Sequence, residues 1–346
     1  MSKVSKNTEE AIKYLNEGIE LLKEDKLDEA EDKFLKAIEL DDSMAPAYNN
    51  YGLLRLFKGF SEAAKEAFQK AIERDPKMFS AYNNAAAVNQ SEGNFDEAEK
   101  LYMQSIQTNP ANVDAYYNLG VLYLNQEKFI QAKSSFEKVT QLDPGNLEAF
   151  YFLSAVYFHL QEIYAAIANL QYVVFHNPNF VPARIVLSEM YRRQGKYSLA
   201  LEQLDAAAEL TPEDITILIQ QGLIYLELER HDLALPIFEK ICEVNPNNAE
   251  TQEILAILYE MDGDLEKAEK TCRKALELDP ENEKIRETME RIKNPPMGEA
   301  GVRPPKGILS NLYPQFFTDV PGMATMDRTP SIGTFKQNFD DTEKET

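Results

Sequence analysis

Asn16, Asn50, Asn84 and Asn118 stand 34 residues apart along the chain. An amide side chain donates and accepts hydrogen bonds together, so a row of amides could grip a peptide backbone whatever its sequence. Aromatic residues crowd the stretch that follows the last of them. Between Leu147 and Phe180 the only charged residues are Glu148 and Glu162, and Tyr151, Phe152 and Phe158 fall there, one repeat after Tyr117 in the case of Tyr151. Aromatic patches of this kind, where exposed, mark protein interfaces. Arg192 and Arg193, with Lys196 nearby, make a small basic island suited to receiving a carboxylate. Further on, the run GILSNLYPQFF brings Leu312, Tyr313, Phe316 and Phe317 close together in a proline-rich setting. These residues are the candidate protein-binding positions.

Signatures of catalysis are missing. Neither a GxGxxG nor a GxxxxGK[ST] phosphate loop occurs, and there is no GxSxG elbow and no HExxH zinc motif. His159, His176 and His231 share no metal-ligand spacing, and adjacent acids such as Asp28 with Glu29 read as solvated helix starts. The expectation is a protein that is not an enzyme and uses no cofactor or metal.

The elements that carry these residues follow from a strict period. AYNNYG, AYNNAA, AYYNLG and AFYFLS begin at Ala47, Ala81, Ala115 and Ala149, and alanine holds the same step eight times, from Ala30 to Ala268. Four residues beyond each alanine lies a large side chain (Phe34, Phe68, Tyr102, Phe136, Leu170, Leu204, Phe238), with Cys272 in the last unit. A small residue recurs earlier in each unit, beginning with Gly18, Gly52, Ala86 and Gly120, where it admits a neighbouring helix. Proline closes the units from Pro76 to Pro280 at the same step, with Asp42 in its place after the first. The pattern resembles the tetratricopeptide repeat, a helix–turn–helix unit of 34 residues, over eight contiguous units. Tyr14, Tyr48, Tyr82, Tyr116 and Phe150 stand where that family often has tryptophan, whereas Arg184, Leu218 and Gln252 depart from it. The resemblance implies an all-α fold, a right-handed superhelical solenoid with an extended concave surface. It also implies that the asparagine row lines the groove, as a similar row does in the repeat arm of O-linked N-acetylglucosamine transferase. The lysines and arginine of the family's chaperone-binding carboxylate clamp have no counterpart here.

Four segments are expected: a lead-in over 1–10, repeats over 11–282, a capping helix over 283–293 and an irregular Pro/Gly-rich tail over 294–346. The first helix should start at Asn7 or Thr8, and Ile285, Met289 and Ile292 give the capping helix one apolar face. Pro236 is tolerated if Asp232 caps the helix that contains it. A net charge of −22 argues against nucleic acid and anionic membrane as partners. No apolar run reaches membrane-spanning length, no signal peptide is evident, and Cys242 and Cys272 fit a reducing compartment, so a cytoplasmic protein is expected. The function expected is a scaffold or assembly factor holding extended segments of partner proteins. A self-assembling homo-oligomer and a regulatory subunit of an enzyme complex are the alternatives. The tail is expected to contact the groove or a partner through Leu312 to Phe317.

Overall fold

The computed structural model describes residues 6–294, which contain seventeen α-helices and no strand. The candidate tail residues Leu312, Tyr313, Phe316 and Phe317 lie outside the described residues. The helices fall into two compact units that meet in sequence at Glu162 and Ile163.

The first unit holds α1 (Lys6–Lys23), α2 (Leu27–Leu40), α3 (Ala45–Phe57), α4 (Ser61–Arg74), α5 (Phe79–Ser91), α6 (Phe95–Thr108), α7 (Val113–Asn125), α8 (Phe129–Leu142) and α9 (Leu147–His159). Odd-numbered helices pack against the even-numbered helix that follows, and first helices also touch the first helix of the next pair. The small residue sets how close each pair comes. A Cβ on Gly18 would lie 2.6 Å from the Phe34 ring, one on Gly52 2.6 Å from Phe68, and one on Gly120 2.9 Å from Phe136. All three rings are fully buried. Where the small position is Ala86, the facing ring is Tyr102, whose hydroxyl donates to Gln90 Oε1 at 3.0 Å.

Each helix pair turns in the same way. The helix ends on a residue with positive φ, either a glycine such as Gly59 at 82° or a non-glycine such as Glu127 at 57°. The amide of the next residue then closes on the carbonyl five positions back, Phe60 on Arg55 at 2.8 Å and Lys128 on Tyr123 at 2.8 Å. α1 already includes Lys6, the first described residue, ahead of the expected Asn7 or Thr8.

The second unit holds α10 (Ile163–His176), α11 (Val181–Arg193), α12 (Tyr197–Leu210), α13 (Ile215–Glu227), α14 (His231–Val244), α15 (Ala249–Asp262), α16 (Leu265–Leu278) and α17 (Glu283–Lys293). The polar substitutions at the aromatic position have a use here. Arg184 Nε donates to the Pro178 carbonyl at 2.7 Å, and Gln252 Nε2 donates to the Pro246 carbonyl at 3.1 Å. Leu218 cannot do this, and Lys240 Nζ donates to Pro212 O at 2.7 Å instead. Each side chain therefore occupies a carbonyl that the inter-pair turn leaves open. Arg230, not Asp232, is the residue preceding α14; Asp232 sits inside the first turn, where it pairs with Arg230 at 2.8 Å. Pro236 lies within the helix. α17 buries Ile285, Met289 and Ile292, and the Asn282 side chain accepts from Lys284 N at 3.2 Å to start it.

Among the described residues, no helix is long and apolar enough to cross a membrane. Among those residues, too, no group of three His, Cys, Asp or Glu could hold a metal ion.

Candidate functional site

The asparagine row runs along the first helices of the first unit. Asn16 on α1 is exposed, whereas Asn50 on α3, Asn84 on α5 and Asn118 on α7 are buried. The buried amides reach backwards from one repeat to the previous one. Asn84 Nδ2 donates to Asn49 Oδ1 at 2.9 Å, and Asn118 Nδ2 donates to Asn83 Oδ1 at 3.3 Å. Two columns of the repeat, 34 residues apart within each column, are thus linked by an offset of 35. Part of the row couples neighbouring repeats to each other.

The first junction breaks the pattern. The residue in the acceptor column of repeat one is Leu15, which has no polar side-chain atom. Asn50 Nδ2 and Oδ1 are both buried without a hydrogen-bond partner, and so are Asn49 Nδ2 and Ser80 Oγ. A buried unsatisfied polar atom costs about 1–3 kcal/mol, so four on α3 and α5 are a large penalty. Folded proteins tolerate few such atoms without a reason.

The aromatic residues are placed differently from the expectation of an exposed patch. Tyr117, Tyr151 and Phe152 are buried, at 8%, 6% and 5% exposure, and Phe158 is half-buried. Phe152 occupies the asparagine column of repeat five and makes the same backward reach. Its ring meets Tyr117 edge-on with centroids 5.9 Å apart, and stacks on Phe136 at 5.6 Å. At this junction the amide pair is replaced by an aromatic pair, so the patch is chiefly packing between α7, α8 and α9. Tyr117 Oη donates to Glu148 Oε2 at 3.1 Å. Burial pushes the Tyr151 hydroxyl up to about 12. Phe158 packs edge-to-face on His159, which itself stacks on Phe129 at 4.4 Å.

In the second unit the basic island is already engaged, against the expectation of an incoming carboxylate. Arg192 is 7% exposed; its Nε donates to Glu189 Oε2 at 2.7 Å and its Nη2 to Glu189 Oε1 at 2.8 Å. Its Nη1 donates to Glu227, and Arg193 Nε donates to Glu189 Oε1 at 2.7 Å. Burial opposes the charge on Arg192, but the two carboxylates more than offset it and its pKa rises. Burial likewise raises the pKa of Glu227, with Arg192 opposing the shift. Glu189 lies one helical turn before Arg192, so this half of the network had a signal in the sequence; Glu227, 35 residues on, had none.

Tetratricopeptide repeat models match residues 45–78, 113–146, 164–215 and 219–283, and a further TPR repeat model matches 90–127. The chain is a tetratricopeptide repeat protein. Its TPR units are helix pairs in both halves of the described chain, as the family requires. Among solved structures, Pseudomonas aeruginosa PilF is 22% identical with a TM-score of 0.53, covering 62% of this chain and 98% of its own. The C-terminal part of a TPR protein from Cytophaga hutchinsonii is 17% identical with a TM-score of 0.51, covering 80% and 99%. YrrB, titled a TPR protein with an unusual peptide-binding site, is 28% identical with a TM-score of 0.48, covering 53% and 94%. The PilF and Cytophaga likenesses bear on the fold. No curated protein matches the chain.

Proposed function

We propose that this TPR protein is a non-catalytic scaffold that holds an extended segment of a partner protein against the first helices of its N-terminal unit. The observation that carries this reading is the asparagine row on the first helices, exposed at Asn16 and backed on α3 and α5 by buried polar atoms without partners, among them Asn49 Nδ2, both amide atoms of Asn50 and Ser80 Oγ. An extended backbone presents N–H and C=O groups in alternation, which suits an amide that needs both a donor and an acceptor. Asn16, exposed on α1 one repeat earlier, continues the same row. Selectivity would come from side chains flanking the row, because amides read backbone alone. Asn118, Tyr117, Tyr151, Phe152 and Phe158 belong to this reading as the packed wall that follows the row. A reducing compartment such as the cytoplasm suits Cys242 and Cys272, both buried free thiols.

The first ligand to test is internal, the segment 307–317 that carries Leu312, Tyr313, Phe316 and Phe317. A synthetic 307–317 peptide, and peptides selected from a random display library, would be titrated into the chain ended after Lys293 by calorimetry. Binding that falls tenfold or more in Asn16→Ala, and in peptides N-methylated on the backbone, supports the clamp. Selected peptides that tolerate both changes would remove the amide row from the site.

A further inference from the structure

A second surface lies on the outside of α10. This helix, IYAAIANLQYVVFH, carries no Asp, Glu, Lys or Arg. Its core contacts come from Ala166, Ile167, Leu170 and Val173, which are buried. Tyr164 and Phe175 do the opposite. They are 84% and 80% exposed, above every other large apolar side chain among the described residues. With Ala168 and Gln171, also exposed, they form one stripe at spacings of four, three and four residues. Gln171 Nε2 donates to Tyr191 Oη at 2.8 Å, which ties that side chain to α11 of the next repeat. Phe175 is set edge-on to His176 with centroids 5.1 Å apart.

The repeat pattern does not ask for this stripe. In place of Tyr164 other second helices carry acids such as Asp28, Glu62 and Asp96, and in place of Phe175 they carry Glu209, Glu243 and Glu277. Aromatic rings thus stand in those positions on the one second helix, among the described residues, that carries no charge.

We propose that the outer face of α10 pairs with the same face of a second copy of this chain, the two helices running antiparallel. The spacing is its own mirror about the point between Asn169 and Leu170. A two-fold axis there sets Tyr164 against Phe175 of the other copy, and Ala168 against Gln171. The small Ala168 lets the axes approach within the usual 8–10 Å, roughly. Charge selects the occupant as well. A second copy, also at −22, is repelled by the acidic rows of other second helices and meets no like charge across α10. A basic partner would be drawn to those acidic rows instead.

Area sets the strength. Two rings per copy at roughly 150–250 Å² each bury about 600–1,000 Å² across the pair, below the roughly 1,200 Å² of a stable interface. The pairing is therefore weak and reversible. It should strengthen with salt, because salt screens the repulsion between the copies.

Sedimentation velocity on the full chain from about 5 to 500 µM, in low and high salt, reads this directly. The expected result is a monomer that shifts to a dimer with concentration, more readily in high salt. Tyr164→Glu with Phe175→Glu should restore the monomer with unchanged circular dichroism and melting, since both side chains stand in water. For geometry, Tyr164→Cys and Phe175→Cys chains would be oxidised separately and mixed. The mixture should cross-link several-fold faster than either alone. A chain that stays monomeric throughout overturns the proposal, as does a dimer that survives the double glutamate variant. Preferential Tyr164→Cys self-linkage would overturn the antiparallel pairing.

Discussion

Asn50 and Asn84 occupy the same position of successive repeats, yet their replacement by alanine should move stability in opposite directions. Asn50 is fully buried, and neither amide atom has a partner. Asn50→Ala removes two unsatisfied atoms, each worth about 1–3 kcal/mol. It also gains about 0.5 kcal/mol of helix propensity. Against this stands a small cavity, about 1 kcal/mol for a few tens of Å³. The balance is a stabilisation of about 1.5–5.5 kcal/mol. Asn84→Ala instead breaks the 2.9 Å bond to Asn49 and strands Asn49 Oδ1 beside an Nδ2 already without a partner. That should cost about 1–3 kcal/mol. Urea unfolding followed by far-UV circular dichroism measures both, with m values checked because repeat arrays can lose two-state behaviour. Leu15→Asn supplies the missing acceptor for Asn50. A double-mutant cycle of Leu15→Asn with Asn50→Ala should show a favourable coupling of about 1–2 kcal/mol. Equal destabilisation by Asn50→Ala and Asn84→Ala would refute the reasoning, and so would a cycle that shows no coupling.

Gly52→Ala should cost about 1–3 kcal/mol by driving a Cβ into the rigid Phe68 ring; Phe68→Leu in the same chain should recover part of it, and melting of the three variants checks this. Arg192→Ala leaves Glu189, 2% exposed, without its main cation and should cost about 3–5 kcal/mol, whereas exposed Arg193→Ala should cost under about 1 kcal/mol. Glu253 is fully buried and accepts from Thr288 Oγ1 at 2.6 Å, and burial raises its pKa. The folded chain therefore keeps that proton at pH values where the unfolded chain has lost it, and the stability it gives fades as pH rises through the raised value. Glu253→Gln keeps an acceptor for Thr288, so it should raise Tm more at pH 7 than at pH 4; equal gains at both would contradict the assignment.

The repeat register was legible because steric fit writes it into residue types that tolerate little change. Every glycine at the small position faces a phenylalanine sixteen residues later, as Gly222 faces Phe238. Where that residue is smaller, as with Leu170 and Leu204, the small position becomes Ser154 and Ser188. The turn was only half legible. Gly59, Gly93, Gly195 and Gly263 mark the left-handed residue, but Asp25, Glu127, Gln161 and Glu229 hold the same conformation without the signal. The site was less legible still. Spacing put the asparagines in one row, but spacing does not say which amide reaches which. Phe152 and Tyr151 read as exposed because their repeat lacks charge; they are buried because the backward reach of that column carries Phe152 onto Tyr117 and Phe136.

That backward reach is one device used with several chemistries. Asn84 with Asn49, Asn118 with Asn83 and Phe152 with Tyr117 span the same 35 residues, and so does Thr288 with Glu253 in the second unit. Each is a self-contained pair, so the polar groups it uses are no longer wholly available to a ligand. Asn50 in the first unit, like Gln220 in the second, has a column partner (Leu15 and Ile185) that can neither donate nor accept, and each leaves a buried amide nitrogen without a partner. Binding capacity along the row is then greatest at the first junction and declines towards α9, where aromatic packing takes over. A partner segment held by these amides should therefore protect α1 and α3 from hydrogen exchange more than α7. Protection centred on α7 and α9 would place recognition on the aromatic wall and leave the Asn50 mismatch without a ligand to explain it.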